Sequence, residues 1–253
     1  MKPELLLSRI RVVLCRPSHP GNIGAAARAM KTMGLSDLRL VTPKQFPDPE
    51  ADTRATGAVD LLERAKISTS LAEALQGTVF AMALSARQRD LGPPVGTPRE
   101  SVTRLLEMAE QGDVALVFGN ETMGLSNDEV RQCQAAVTIP TNPEFSSLNL
   151  GAAVQVLCYE CRMAAFSGAA PLPVQNVTPF EAPLATHDEV EGLYSHLESV
   201  MTKTGFFNPQ QPGRLLPKLR RLFGRAGLER DEVNILRGIL ASTQQPTRHG
   251  RKD

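Results

Sequence analysis

The sequence lacks the motifs that most directly identify a hydrolase, a metal enzyme or a nucleotide-binding protein. Neither HExxH nor a GxSxG nucleophile elbow occurs, and the four histidines show no metal-ligand spacing. A GxxxxGK(S/T) phosphate loop is absent, and no GxGxxG follows the first predicted strand. These absences argue against a hydrolase and against a standard phosphate-binding loop, and we expect no bound metal.

Long hydrophobic runs are missing too. No apolar segment approaches the roughly 20 residues that a membrane-spanning helix needs. The apolar run near the N-terminus is short and is interrupted by Ser8 and Arg9, which is untypical of a signal peptide. We therefore expect a cytoplasmic protein with no membrane partner.

Cysteine is scarce, with four residues in 253. Cys158 and Cys161 form a Cys-x-x-Cys pair within a helical pattern, but no second pair is present to complete a zinc site. Buried free thiols are the better interpretation, and they fit a reducing compartment.

Charge is ordinary in amount but uneven along the chain. Residues 1–167 hold 17 basic and 18 acidic residues, whereas residues 203–253 hold 11 basic and 4 acidic ones. The basic tail indicates a polyanionic partner. A solvated basic surface without a partner explains the same pattern equally well.

Apolar strands alternate with helical patterns along the first two thirds of the chain, which predicts an α/β fold with a parallel sheet. Residues 1–167 form this predicted domain, residues 168–186 a Pro-rich linker, and residues 187–253 a helical basic extension that begins with a Thr186-x-x-Glu189 capping box. Predicted strands are 10–14, 38–41, a short one near 67, and 78–84, with two more beginning near 116 and 136. Predicted helices are 25–33, 59–65, 71–75, 98–111 and 147–166, and a Pro-rich loop contains Pro43, Pro47 and Pro49.

Two loops stand out because each follows a strand and leads towards a helix. The first contains Gly119 and Gly124, and the second runs from Thr141 to Ser147. In open α/β sheets ligands bind at the carboxyl ends of strands, so these loops predict a ligand pocket. An Asn-Pro turn followed by an N-capped helix is the simpler alternative for the second loop.

The first long helix offers a possible phosphate site. Asn22 and Gly24 open it directly after the first strand, and Gly24, Arg28 and Lys31 share one helical stripe. The alternative is that Asn22 is an ordinary N-cap and Arg28 a solvated side chain.

Three segments, taken together and in order, resemble the signature motifs of the SPOUT class of S-adenosylmethionine-dependent RNA 2′-O-methyltransferases. They are NIGAAARAM from Asn22, FGNETMGLS from Phe118, and the stretch from Ile139 to Leu150 that contains SLNL. The resemblance implies a parallel sheet flanked by helices with a C-terminal trefoil knot, a homodimer, and S-adenosyl-L-methionine as cofactor. The runs SARQRDL and NPEFSSLNL resemble the branch that methylates the ribose of cytidine or uridine at position 32 of the tRNA anticodon loop.

The resemblance also implies roles for individual residues. Arg28 would clamp the phosphate and ribose of the target nucleotide, because a guanidinium stays protonated and is a poor general base. Ser147 and Asn149 would hold the loop and the ribose hydroxyl, and Glu121 would anchor its own loop or Asn22. The implied catalytic set is Arg28, Asn22, Glu121, Ser147 and Asn149. The implied cofactor-binding set is Ser85, Ala86, Gly119, Asn120, Glu121, Gly124, Ile139, Pro140, Ser147 and Leu148. The implied RNA-binding set is Arg28, Lys31, Arg87, Arg89, Lys218, Arg220 and Arg221.

Two alternatives stay open. One keeps the fold but changes the substrate to ribosomal RNA or to another tRNA position. The other is a non-catalytic RNA-binding protein that retains the pocket, although the intact Arg28 and Asn149 argue against it.

Overall fold

The computed structural model describes residues 1–85, 92–166 and 182–244. Strands and helices alternate through the first two ranges, as the sequence predicts, and the third is helical. The strands are β1 (Ile10–Cys15), β2 (Asp37–Val41), β3 (Lys66–Ser68), β4 (Thr78–Leu84), β5 (Val95–Gly96), β6 (Asp113–Phe118) and β7 (Ala135–Val137). The helices are α1 (Pro3–Ser8), α2 (Pro20–Met33), α3 (Pro49–Ala55), α4 (Val59–Glu63), α5 (Leu71–Leu75), α6 (Pro98–Gln111), α7 (Asn127–Arg131), α8 (Leu150–Phe166), α9 (His187–Lys203), α10 (Leu215–Ala226) and α11 (Arg230–Gln244). A 3₁₀ turn, Thr56–Ala58, joins α3 to α4.

The strands form one parallel sheet in the order β3-β2-β1-β6-β4-β7-β5. β1 lies inside the sheet, where Val12 pairs with Leu38 of β2 and Leu116 of β6. From β1 the chain proceeds through β2 to β3 at one edge of the sheet and then crosses to β4 on the other side of β6. The direction in which strands are added therefore reverses between β1 and β6. In a parallel sheet this reversal leaves a crevice at the carboxyl ends of the strands.

Helices cover both faces of the sheet. Val12 belongs to one buried cluster with Ile23 of α2 and Leu157 of α8, and the adjacent Val13 belongs to another with Leu75 of α5. Because successive strand residues point to opposite faces, these clusters are the two layers of the core. Burial on both faces explains the nearly continuous apolar sequence of β1.

Two helix starts differ from the sequence prediction. α2 begins at Pro20, five residues before the predicted start, with His19 as its N-cap. Proline suits this position because its fixed φ is helical and its missing N–H is not needed there. Asn22 therefore lies inside the first turn, and its interpretation as an N-cap is wrong. α8 begins at Leu150 rather than at Ser147.

Four short elements were not predicted: α1, α3, α7 and β5. α3 lies in the segment interpreted as a Pro-rich loop, yet Asp48 caps it by accepting a 2.8 Å hydrogen bond from the Glu50 amide, and Pro49 occupies its first turn. α7 begins with a capping box formed by Ser126 and Glu129. Both starts carry ordinary helix signals, but α3 and α7 are short and contain few apolar residues, so neither shows a helical apolar periodicity.

The helical extension follows the prediction at its start. The capping box of Thr186 and Glu189 opens α9, and Leu193 of α9 packs with Val233 of α11. The Asp188 carboxylate accepts a 3.2 Å hydrogen bond from the Gly77 amide, which ties α9 to the segment before β4. Most of the predicted linker lies in 167–181, outside the described residues, so the divisions 1–167, 168–186 and 187–253 stay predictions. The trefoil knot also stays a prediction.

None of the helices that the structure describes is long and apolar enough to cross a membrane.

Candidate active site

A cavity of about 360 Å³ opens at the carboxyl ends of β4, β6 and β7. This is the edge where the sequence predicts a pocket, and eight residues of the cofactor-binding set line it. They are Ser85, Gly119, Asn120, Glu121, Gly124, Ile139, Ser147 and Leu148. Pro140 is exposed and does not line the cavity, and Ala86 lies outside the described residues. The sequence did not indicate the apolar wall, which includes Leu84, Phe118, Leu150 and Ala153.

The loop after β6 requires glycine at two positions. A Cβ atom on Gly119 would lie 2.2 Å from backbone atoms of Gly124 and Leu125, and Gly124 has φ +67°. Asn120 braces the loop, because its amide group donates to the Arg16 carbonyl at 2.8 Å and accepts from the Thr122 amide at 2.9 Å. Because the glycines carry no side chain, a ligand in the cavity can come close to the backbone of this loop. The loop therefore suits binding of a ligand by main-chain groups.

An arginine after β1 holds the far end of this loop. The Arg16 guanidinium makes a two-pronged ion pair with the Glu129 carboxylate, and it approaches the Gly124 carbonyl at 3.4 Å. Glu129 also closes the capping box of α7 by accepting from the Ser126 amide at 2.7 Å. Neither Arg16 nor Glu129 was predicted, although the spacing of Ser126 and Glu129 is a recognisable capping signal.

A chain of hydrogen bonds joins the three signature segments at the rim of the cavity. The Asn149 side-chain oxygen accepts from the Gly151 amide at 2.9 Å, and its nitrogen donates to the Asn22 side-chain oxygen at 2.7 Å. Asn22 then donates through its own nitrogen to Glu121 at 2.9 Å. Because an ionised carboxylate can only accept, Glu121 sets the direction of every bond in this chain.

Glu121 collects several further donors. The Ser18 amide and hydroxyl donate to one carboxylate oxygen at 2.9 and 2.7 Å, and the His19 amide donates to the other at 3.2 Å. Partial burial by itself would raise the pKa of Glu121, but the hydrogen bonds from Asn22 and Ser18 outweigh it and lower the pKa to about 2. Glu121 is therefore ionised at neutral pH and holds Ser18, His19 and Asn22 by accepting their hydrogen bonds.

The second loop closes the other side of the cavity. The Ser85 amide donates to the Val137 carbonyl at 3.0 Å, and the Thr138 hydroxyl donates to the Ser85 carbonyl at 2.5 Å. Within the described ranges the exposed Ser147 hydroxyl makes no hydrogen bond, so it is available to a ligand at the cavity rim.

The predicted RNA-binding cations differ in their surroundings. Arg28 is exposed and does not line the cavity, but it lines a separate groove beside α3. Lys31 lies 2.6 Å from an Asp60 carboxylate oxygen and 2.9 Å from the Gly57 carbonyl, so its charge is already engaged. Arg87 and Arg89 lie outside the described residues.

In the extension, Lys218 and Arg221 are exposed. Arg220 instead forms a two-pronged ion pair with Glu191, with distances of 2.5 and 2.7 Å, and lies 4.4 Å from the Tyr194 ring centre. This arrangement favours a packing role for Arg220 rather than the predicted contact with RNA.

The cysteines do not contribute a nucleophile to the site. All four thiols are buried and free, as the sequence predicts. Burial raises the pKa of Cys161 to about 12, so its thiol stays protonated at neutral pH. The described residues contain no cluster of three or more His, Cys, Asp or Glu side chains that could hold a metal ion.

Comparison with known families decides the class of this site. A family model described as the SpoU rRNA methylase family matches residues 9–159, which include the sheet and all three signature segments. The chain belongs to the SpoU rRNA methylase family. SpoU membership confirms the methyltransferase class and the parallel α/β fold expected from the signature segments. A second model, the C-terminal domain of the tRNA methyltransferase TrmJ, matches residues 188–252.

Two tRNA methyltransferases resemble the chain over nearly its whole length. The tRNA (cytidine/uridine/adenosine-2′-O-)-methyltransferase TrmJ of Pseudomonas aeruginosa is 49% identical, with 96% of each chain covered. The tRNA (cytidine/uridine-2′-O-)-methyltransferase TrmJ of Yersinia enterocolitica is 46% identical, covering 98% of this chain and 96% of its own.

Solved structures agree with this assignment. The crystal structure of TrmJ from Z. mobilis superimposes with a TM-score of 0.79 at 34% identity, covering 93% of this chain and 99% of its own. The SpoU methyltransferase AviRb from Streptomyces viridochromogenes, solved in complex with the cofactor AdoMet, gives a TM-score of 0.50 at 25% identity, covering 62% of this chain and 58% of its own.

Proposed function

We propose that the protein is an S-adenosylmethionine-dependent tRNA 2′-O-methyltransferase that modifies cytidine or uridine at position 32 of the anticodon loop. The observation that carries this proposal is the hydrogen-bonded chain of Asn149, Asn22 and Glu121, which brings the three signature segments together at the rim of one cavity. The names of the TrmJ relatives from Pseudomonas and Yersinia support the tRNA and ribose assignments.

The cavity fits the proposed cofactor. Its volume of about 360 Å³ falls in the range of small-molecule sites, and it combines an apolar wall with loop backbone at Gly119 and Gly124. The apolar wall suits an adenine ring, and backbone amide and carbonyl groups suit its polar edge. S-adenosyl-L-methionine, when bound, supplies an electrophilic methyl group on a positively charged sulfur.

The protein's own contribution to the reaction is chiefly alignment. Arg28 binds the phosphate and ribose of the target nucleotide, and Ser147 and Asn149 hold the rim where the 2′-hydroxyl enters. With the cofactor bound, the 2′-oxygen would take the methyl group as the bond between the methyl carbon and sulfur breaks, leaving a neutral thioether. The hydroxyl proton would pass to a nearby phosphate oxygen or water, because the Arg28 guanidinium cannot accept it. Alignment of this kind can supply about 7–11 kcal/mol of a barrier in favourable cases.

The proposed target is a loop nucleotide because its 2′-hydroxyl can be presented without unwinding a helix. The exposed cations Lys218 and Arg221 bind the tRNA backbone, as do Arg87 and Arg89 if they keep the role implied by the resemblance. Binding through phosphates weakens steeply as salt rises. The protein acts in the cytoplasm, and its four free thiols support a reducing compartment.

We also propose that the protein is a homodimer. One stripe of α8 carries Tyr159, Met163 and Phe166, and these residues are 45%, 47% and 45% exposed. A second copy of the chain would cover this apolar stripe. Met163→Glu should convert the dimer to a monomer in sedimentation velocity, whereas Ile239→Glu on α11 should not. A wild-type monomer at micromolar concentration would contradict the proposal.

The decisive experiment is methyl transfer from labelled S-adenosylmethionine to unmodified tRNA, followed by nuclease digestion and mass spectrometry. We expect one ribose methyl group at position 32. Arg28→Lys should lower turnover strongly, since lysine keeps the charge but loses bidentate contact. Cofactor binding without transfer to any tRNA would reject the proposed substrate, and ribosomal RNA would then be the substrate to test.

A further inference from the structure

A groove of about 590 Å³ lies between α2 and α3, separate from the cofactor cavity. Arg28 of α2 lines one side, and residues of α3 and the turn after it line the other. The α3 side consists of Pro49, Glu50, Thr53, Arg54 and Thr56. The groove and the cavity share no lining residue.

The arginines of this groove differ from the others of the sheet domain. Nine other arginines described between residues 1 and 166 each have a hydrogen-bond, ion-pair or aromatic partner. They are Arg9, Arg11, Arg16, Arg39, Arg64, Arg99, Arg104, Arg131 and Arg162. Among the residues described between 1 and 166, Arg28 and Arg54 are the arginines without any such partner. Both are exposed, and both line the same groove. Two unpaired guanidinium groups facing one groove are suited to an anionic ligand.

The first turn of α2 connects the groove to the cofactor cavity. Gly21 faces α3 so closely that a Cβ atom there would lie 2.7 Å from a Glu50 carboxylate oxygen and 3.4 Å from Cγ of Arg54. The next residue, Asn22, bonds to Glu121 and Asn149 on the cavity side. A strand lying in the groove would therefore place an adjacent nucleotide beside the cavity rim.

The wall of the groove also contains a strained residue. Thr56 ends α3 with φ 52° and ψ −113°, a region that β-branched residues rarely adopt. Such strain persists only where the surrounding structure holds it, and it is concentrated at functional sites. Here it fixes the turn that places Thr56 and Arg54 along the groove.

We propose that Arg54 is a second phosphate-binding residue, which together with Arg28 holds the RNA backbone on both sides of the target nucleotide. This inference rests on the proposed function, since it assumes an RNA substrate. The Glu50 carboxylate lowers the positive charge of the groove, and it can accept a hydrogen bond from a ribose hydroxyl or a base amino group. Arg54 thus positions the substrate and is not a catalytic group.

Three variants of the full-length protein test the inference. Arg54→Ala removes the phosphate contact, Arg54→Lys keeps its charge, and Arg64→Ala is the matched control. Arg64 is exposed and carries the same charge, but Asp60 already binds it and it does not line the groove. Affinity for unmodified tRNA is measured at several salt concentrations, together with kcat, KM and the affinity for S-adenosylmethionine.

We expect Arg54→Ala to weaken tRNA binding and raise KM about tenfold, and to lower the slope of log affinity against log salt by about one. Arg54→Lys should restore the slope, and cofactor affinity should be unchanged in all three variants. If Arg54→Ala matches Arg64→Ala in affinity and slope, the inference is wrong. Wild-type protein that binds tRNA but transfers no methyl group would instead reject the proposed function, while the binding data would still decide the role of Arg54.

Discussion

Asn149 and Asn22 meet through a 2.7 Å hydrogen bond between their side chains, although 127 positions separate them in the chain. Asn149 has two tasks, because its oxygen caps α8 while its nitrogen reaches Asn22. Two different substitutions at Asn149 can separate these two tasks.

Asn149→Asp should keep the cap but lose the link. An aspartate oxygen still accepts from the first amides of α8, but it cannot donate to Asn22. We expect kcat to fall several-fold, in line with the roughly 0.5–1.5 kcal/mol that a typical hydrogen bond contributes. Asn149→Ala loses the cap as well and should cost about 1 kcal/mol of unfolding free energy. Activity at the wild-type level in the Asp variant would show that the link does not matter.

Glu121 should make stability depend on acid pH. Its folded pKa of about 2 lies below its unfolded value, so ionised Glu121 stabilises the fold fully above about pH 4.5. That contribution is lost as the pH falls towards 2. The difference in unfolding free energy between wild type and Glu121→Gln should therefore shrink through this window in urea titrations. A difference that stays constant with pH would contradict the assignment.

Gly119→Ala should impair cofactor binding. The new Cβ would lie 2.2 Å from backbone atoms of Gly124 and Leu125, so the loop must move. We expect the affinity for S-adenosylmethionine, measured by calorimetry, to fall at least tenfold. Gly238→Ala is the control, because it lies in α11 with no atom within 4 Å of the added Cβ. It should raise stability by up to about 1 kcal/mol and leave cofactor affinity unchanged.

The neighbouring residues Arg220 and Arg221 should behave differently. Arg220→Ala leaves the partly buried Glu191 without its ion-pair partner, so we expect a loss of about 1–2 kcal/mol in thermal unfolding. Arg221→Ala should leave stability unchanged and reduce the salt dependence of tRNA binding by about one phosphate contact. Equal effects of the two variants on both measurements would contradict this division.

Thr56→Gly should stabilise the protein. Glycine adopts the observed φ and ψ without steric cost, and the relieved strain is worth about 1 kcal/mol after the entropy of glycine is subtracted. Thr53→Gly within α3 should instead lower stability by about 0.5–1 kcal/mol. Chemical denaturation of the two variants measures both effects. If both variants are destabilised, the backbone at Thr56 stores no strain.

The sequence predicted the elements whose signals are local. The buried run of β1, the periodicity of α6 and the capping box of α9 each lie within one continuous stretch of at most 14 residues, and each appears where expected. The cavity could be placed because loops that follow parallel strands meet at one edge of the sheet. The resemblance suggested that Glu121 anchors either its own loop or Asn22, and Glu121 accepts a hydrogen bond from Asn22.

Contacts between distant segments could not be predicted. Nothing near Lys31 in the sequence indicates that Asp60 binds it, and nothing near Arg220 indicates Glu191. The groove was missed because α3 has only seven residues and lies in a Pro-rich segment. Charge and exposure can be inferred from composition, but pairing depends on which helix faces which.

The hydrogen-bonded chain at the rim also determines when the site can form during synthesis. Asn22 lies 99 positions before Glu121 and 127 before Asn149. A nascent chain made from its N-terminus has β1 and α2 early, but the rim cannot close before α8 has left the ribosome. A nascent chain that ends before Asn149 therefore lacks a closed rim, whereas α9, α10 and α11 are synthesised after the rim residues.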